Sequence, residues 1–135
     1  MKHPIEQGKV LIVDDVELNR ILARAYLESL GWSVDEAVNG FAALAYFRTR
    51  MPEYILLDVR MPGMDGVGVA KTVRHAYQVG TVKIVGYTAH AIPGELVHIR
   101  DAGFDEVLVK PVSLSDFEEV FGYSSGHPHQ NISCA

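Results

Sequence analysis

Val10-Leu11-Ile12-Val13-Asp14-Asp15, followed within three residues by Leu18-Asn19-Arg20-Ile21-Leu22, has the pattern of a strand leading through two carboxylates into a helix. Four apolar residues in an unbroken run suit a strand covered on both faces, because a half-exposed strand alternates. Beyond the two carboxylates, Leu18, Ile21, Leu22, Ala25 and Tyr26 fall at i, i+3, i+4, i+7 and i+8, the spacing of one helical face. Gly31 stops that helix. The same unit recurs downstream. Further β-type runs occupy Ser33–Ala37, residues 54–57, residues 83–87 and Glu106–Val109. Between them, residues 41–50 carry Phe41, Leu44 and Ala45 at helical spacing, and residues 66–75 carry Val67, Val69, Ala70 and Val73. Pro93 opens a helix through Ile92, Leu96 and Ile99 that Gly103 stops. Ser115 and Glu118 stand at capping-box spacing in a short last helix with Phe117, Val120 and Phe121. Strand and helix alternating five times implies parallel pairing, since each return needs a crossover. The expected fold is α/β: a doubly wound, five-stranded parallel sheet with helices on both faces, in the order 2-1-3-4-5 by analogy with flavodoxin-like folds.

The 135 residues suit one domain, expected over residues 1–123, with a polar, disordered tail over 124–135. Twelve Lys and Arg against 17 Asp and Glu leave a formal charge of −5, which argues against a protein that coats nucleic acid or anionic membrane. The single Cys134 excludes an intrachain disulfide and a cysteine-rich zinc module and suggests a reducing compartment. No apolar run approaches membrane-span length, and Pro4 and Glu6 stand where a signal peptide needs an apolar stretch. A cytoplasmic protein is the expectation.

The polar residues fall in a telling place. Asp14 and Asp15 follow the first run, Asp58 the third, Thr88 the fourth and Lys110 the fifth. In a parallel sheet these positions share the carboxyl rim, where open α/β sheets bind ligands. Taken singly, each has a bland explanation. Asp-Asp before a helix serves as a cap, Asp58 before Met61-Pro62-Gly63 as turn chemistry, and a Thr closing a strand is ordinarily structural. Together they are better explained by a hard divalent cation, since three gathered carboxylates repel one another. Magnesium fits best: it takes oxygen ligands and needs only one or two carboxylates plus a phosphate oxygen. Calcium prefers a fuller oxygen cage, and the rim offers no His/Cys set for zinc. With Lys110, such a rim is prepared for an incoming phosphoryl group.

Residues 55–66, ILLDVRMPGMDG, together with VLIVDD near the start, TAHA from Thr88 and VKP ending at Pro111, resemble the response-regulator receiver domain of two-component signalling over roughly residues 9–121. The resemblance implies that Asp58 is the phosphoacceptor, attacking phosphohistidine on a histidine kinase or a histidine phosphotransfer protein. It implies that Asp15, Asp58 and the backbone carbonyl of Arg60 bind Mg²⁺ directly, with Asp14 helping through water. Thr88 matches the hydroxyl that meets the phosphoryl group, and Lys110 the lysine that pairs with its oxygens. Lys110-Pro111 matches a peptide that is usually cis, and Arg60 and His90 match positions that tune phosphoryl lifetime. One position departs. Three residues before the lysine the family usually has Tyr or Phe, whereas this chain has Val107, with Tyr87 and Phe104 the aromatic residues nearby.

The resemblance further implies a phosphoacceptor switch, not an enzyme with its own substrate, that signals through a downstream protein as a monomer or weak dimer. No Lys or Arg occurs after Lys110, so cross-subunit ion pairs of the kind DNA-binding relatives use have no cation in the last helix. Met1 favours a stand-alone receiver and the TAHA stretch a receiver from a hybrid histidine kinase. Other readings are weaker. A haloacid-dehalogenase-type phosphatase needs Asp-x-Asp after the first strand, but Val16 stands two residues after Asp14. A flavodoxin-like cofactor binder needs an uncharged phosphate loop where Asp14-Asp15-Val16-Glu17 lies. A receiver-like interaction module without phosphorylation would not need all five key side chains.

Overall fold

Strands and helices alternate along the chain in the computed structural model, which describes residues 4–76, 82–89 and 92–124. The order is β1 (Ile5–Val13), α1 (Glu17–Ser29), β2 (Ser33–Ala37), α2 (Gly40–Tyr46), β3 (Met51–Asp58), α3 (Gly66–Ala76), β4 (Lys83–Thr88), α4 (Pro93–Asp101), β5 (Glu106–Val109) and α5 (Leu114–Phe121). All strand pairings are parallel, and the sheet order is β2-β1-β3-β4-β5, as expected from the sequence. The unbroken apolar runs follow from burial on both faces. Val10, Ile12, Leu56 and Val85 pack with Ala23 and Leu27 of α1 and Phe117 and Phe121 of α5. Leu11, Val13, Ile55, Leu57 and Ile84 pack on the opposite face with Phe47, Val69, Val73, Ile99 and Phe104.

Two strands run further back than their apolar cores suggest. Ile5 pairs with Met51 and Glu6 with Pro52 before the register shifts between Glu6 and Val10. Gly8 takes the irregular turn there at φ 78°, and its N–H donates to Glu53 at 2.9 Å. Pro52 is tolerated because β4 joins β3 only from Tyr54 onward, so its missing N–H costs no ladder bond on that side.

Helix α1 is rotated from the face its periodicity marks. Leu18, Ile21 and Leu22 are 70%, 56% and 45% exposed, whereas Ala23 and Leu27 are buried. Ala23 and Leu27 sit at i and i+4 and form a second, narrower apolar set. Arg20 and Arg24 settle the choice: both reach the Glu36 carboxylate on β2, at 2.9 and 2.6 Å, and Arg20 also donates to the Asp14 carbonyl at 2.8 Å. Those bonds hold the arginine side of the helix against the sheet edge. The stripe Val16, Leu18, Ile21 and Leu22 therefore faces solvent beside the carboxyl rim.

The cap of α5 also differs from the spacing-based expectation. Ser113, not Ser115, is the N-cap: its hydroxyl accepts the Asp116 N–H at 3.2 Å, and the Asp116 carboxylate accepts the Ser113 N–H at 2.8 Å. Asp at the third helical position closes the box as Glu would, which the search for Ser-x-x-Glu passes over. Ser124, expected to begin the tail, is buried and donates its N–H to Leu30 at 2.9 Å. The remainder of the expected tail, residues 125–135, lies outside the described residues, as does His90. Among the described residues no helix is long and apolar enough to cross a membrane.

Candidate functional site

Register brings the polar residues together. Val13 pairs with Leu57 across β1 and β3, so Asp14 and Asp58 leave neighbouring strands at the same level. Asp58 pairs with Tyr87 and Thr88 with Val109, which places Thr88 and Lys110 on the same rim one and two strands away. The Lys110 N–H donates to the Thr88 carbonyl at 2.8 Å, continuing the β4–β5 ladder past its last apolar pair. Lys110-Pro111 is cis.

Carboxylate oxygens of Asp14, Asp15 and Asp58 lie within 4.8 Å of one another. Lys110 Nζ lies 3.5 Å from Asp58 Oδ2 and 3.8 Å from Asp14 Oδ2. Asp14 is wholly buried and Asp58 nearly so, while Asp15 is exposed. Asp14 is not the helix cap that the bland explanation makes it: Val16 occupies that position, and Asp14 Oδ1 accepts the Val16 N–H at 2.8 Å. Its Oδ2 accepts the Tyr87 hydroxyl. Asp58 Oδ1 accepts the Arg60 N–H at 3.1 Å, and the Arg60 guanidinium pairs with Glu95 in the first turn of α4.

Burial pushes the Asp58 carboxyl up to about 6; Lys110 opposes the rise, Asp14 adds to it, and the Arg60 N–H opposes it again. The rise comes first from loss of water around the carboxyl, which the Lys110 ammonium only partly offsets. A magnesium ion holds oxygens at about 2.1 Å, hence at most about 4.2 Å apart across an octahedron. A set of hard carboxylate oxygens spread over no more than 4.8 Å matches this, with one of them reaching the ion through water. Asp14, wholly buried with Oδ1 on the Val16 N–H and Oδ2 on the Tyr87 hydroxyl, is the least open of the three to an ion.

An ion bound among these carboxylates would stabilise the folded chain. At ten times its dissociation constant the ion should add about 1.4 kcal/mol, read as a raised unfolding midpoint. Asp15→Asn should leave the metal-free protein at least as stable, because like charge is removed from an exposed side chain, and should weaken the magnesium response. Asp14→Asn is a poorer probe, since its amide would turn an N–H donor toward Val16 or Tyr87. A wild-type melting curve indifferent to magnesium would count against the site.

Gly66 is a site residue that its place in the MDG segment does not by itself reveal. A Cβ there would overlap the Asp58 carbonyl oxygen and lie 2.8 Å from the Val59 Cα. The Gly66 N–H donates to the Val59 carbonyl at 2.9 Å, so the first turn of α3 is pressed against the backbone that carries Asp58. Gly66→Ala should cost about 1–3 kcal/mol by overpacking and displace Asp58. Urea denaturation checks the first, and loss of the magnesium-induced shift the second. The sequence signal is a glycine opening a helix, where propensity disfavours it. Gly86 is set by a similar approach: a Cβ there would stand 2.7 Å from the Phe104 ring. Phe104 thus packs on the face away from Tyr87, and of these two aromatics only Tyr87 is tied to the acidic residues. Val107 is half-buried against the α3–α4 side of the sheet.

Comparison with known proteins agrees with this geometry. Residues 10–121 match the response regulator receiver domain family. The chain is 38% identical over 112 residues to the aerobic respiration control sensor protein ArcB of Escherichia coli (strain K12), covering 82% of this chain and 14% of that protein. It is 33% identical over 110 residues to the polar-differentiation response regulator DivK of Brucella anthropi, covering 82% of this chain and 89% of that one. The chain therefore spans only a small part of the sensor protein but most of the response regulator. Among solved structures, the receiver domain of the sensor histidine kinase PA1611 from Pseudomonas aeruginosa PAO1, with a magnesium ion coordinated in its active site cleft, superposes with a TM-score of 0.76 at 28% identity, covering 85% of this chain and 94% of that one. By sequence, fold and the placement of its acidic rim, this chain belongs to the response regulator receiver domain family.

Proposed function

We propose that this chain is a phosphoacceptor switch in which Asp58 takes a phosphoryl group from phosphohistidine on a histidine kinase or histidine phosphotransfer protein. An Asp58 carboxylate oxygen forms the new P–O bond as the P–N bond breaks, and the imidazole leaves with the electron pair of that bond. Asp58 Oδ1 accepts the Arg60 N–H and Oδ2 lies 3.5 Å from the Lys110 ammonium, so the carboxylate is presented beside the cation that would meet the phosphoryl oxygens. Lys110 meets the phosphoryl oxygens as they arrive, and the Thr88 hydroxyl donates to one of them. Asp15, Asp58 and the Arg60 carbonyl would hold magnesium directly, and Asp14 through water. When bound, the ion offsets the carboxylate repulsion and withdraws charge from the transferring phosphoryl group.

The observation that carries this reading is the convergence of Asp14, Asp15, Asp58 and Lys110 from three strand ends on one point of the rim. The exposed apolar stripe of α1, ending at that rim, supports a protein as phosphoryl donor or downstream target. The acidic balance supports a role without nucleic acid. Incubation with acetyl phosphate tests the reading by intact mass. The expected result is a gain of one phosphoryl group with magnesium and none with a chelator in its place; no gain under either condition refutes it.

A further inference from the structure

Tyr87 occupies the position before Thr88, where its side chain alternates onto the α1–α5 face of the sheet. Two polar contacts place it. Its hydroxyl donates to Asp14 Oδ2, and its ring lies under the Lys110 ammonium, with Nζ 4.3 Å from the ring centroid. Tyr87 is buried in the core beside α1 and α5 and borders a cavity of about 310 Å³ between α1 and the segment 110–112.

The two contacts bear on one competition. Asp14 Oδ2 is the oxygen that accepts the Tyr87 hydroxyl and also the oxygen nearest Lys110, at 3.8 Å. Asp14 Oδ1 is engaged by Val16. With the hydroxyl in place, Oδ2 has a short-range donor, and the ammonium rests slightly nearer Asp58, at 3.5 Å. Without it, a wholly buried carboxylate would lack a donor on that oxygen, and the Lys110 ammonium, 3.8 Å away, could supply one. Movement toward Asp14 would take the cation from the place where phosphoryl oxygens arrive. The ring face opposes the same movement, since a cation over an aromatic face is attracted to it.

We propose that Tyr87 is a positioning residue for phosphoryl transfer: its hydroxyl occupies the Asp14 oxygen that competes for Lys110, and its ring holds the ammonium beside Asp58. This rests on Asp58 being the phosphoacceptor.

The test compares wild type, Tyr87→Phe and Tyr87→Leu for phosphoryl uptake from acetyl phosphate at saturating magnesium, with each rate taken per folded molecule. Tyr87→Phe, which keeps the ring, should react about tenfold more slowly, in line with loss of one hydrogen bond to a charged group. Tyr87→Leu, which loses both contacts, should react more slowly still. A merely structural tyrosine would lower the unfolding midpoint and leave the per-molecule rates unchanged, and that result overturns the inference. A measurement on wild type alone guards against variants that fail to fold. The Lys110 ε-methylene protons should resonate upfield under the ring and move when beryllofluoride, a phosphoryl mimic, is added with magnesium; ordinary, unmoved shifts overturn the inference. Wild type that takes up no phosphoryl group at all sinks the phosphoacceptor reading and this inference with it, whereas normal wild-type uptake with unaffected variants sinks the inference alone.

Discussion

Asp58→Asn should take up no phosphoryl group and, without metal at pH 8, should be more stable to urea than the wild type. The first effect is complete because an amide oxygen is too poor a nucleophile to form an acyl phosphate. The second follows from the buried carboxyl. In the folded chain it holds its proton up to about pH 6, against 3.8 for an unperturbed Asp. Between those values the folded state binds more proton than the unfolded one, so metal-free stability falls as pH rises from about 4 to about 6 and stays reduced above. Asn carries no such penalty and can still accept the Arg60 N–H. At about 1.4 kcal/mol per pKa unit, the advantage of Asn at pH 8 should be about 1–3 kcal/mol and should shrink toward pH 4. Urea denaturation of both proteins in chelator at the two pH values measures it. An Asn variant that is less stable at pH 8, or an advantage independent of pH, would contradict the charge balance described for the rim.

Lys110→Ala should slow phosphoryl uptake by roughly 10²–10³, the cost of removing one preorganised donor from the transferring group. It should also destabilise the metal-free fold, because Asp14 and Asp58 lose the ammonium that lies 3.8 and 3.5 Å from them. The lysine side chain keeps about a quarter of its surface in water, so the stability loss should be about 1–2 kcal/mol, below that of a fully buried pair. Magnesium should recover part of that stability, since its charge replaces the missing cation, but little of the rate. Single-turnover uptake from acetyl phosphate, followed by mass, separates the two effects. A rate within a factor of three of wild type would remove Lys110 from the reaction.

The features legible in the sequence are those governed by local rules. Continuous apolar runs gave the doubly covered strands, and the residues just beyond them gave the rim, because in a parallel sheet every strand ends on the same side. Helix faces were less legible. On α1 the wider stripe, Leu18, Ile21 and Leu22, faces water, and the narrower set, Ala23 and Leu27, faces the sheet. The choice was made by Arg20 and Arg24 bonding to Glu36, a long-range contact that periodicity does not contain. Gly66 and Tyr87 were obscured for a similar reason. What Gly66 avoids is the carbonyl of a residue eight positions earlier, and what Tyr87 binds is a carboxylate 73 positions away. The acidic set was readable because its members follow strands directly; the groups that hold it in place lie across the fold.

The rim as proposed would make Asp58, and no other side chain, the acceptor of phosphorus. Borohydride reduction of the acetyl-phosphate-treated protein tests it most directly, because it converts an aspartyl phosphate to homoserine and leaves a free carboxylate intact. Peptide mapping should find homoserine at position 58 in wild type treated with magnesium and at no position in the chelator control. Homoserine at another aspartate, or a phosphoryl group that resists borohydride on a hydroxyl or ring nitrogen, would contradict the account.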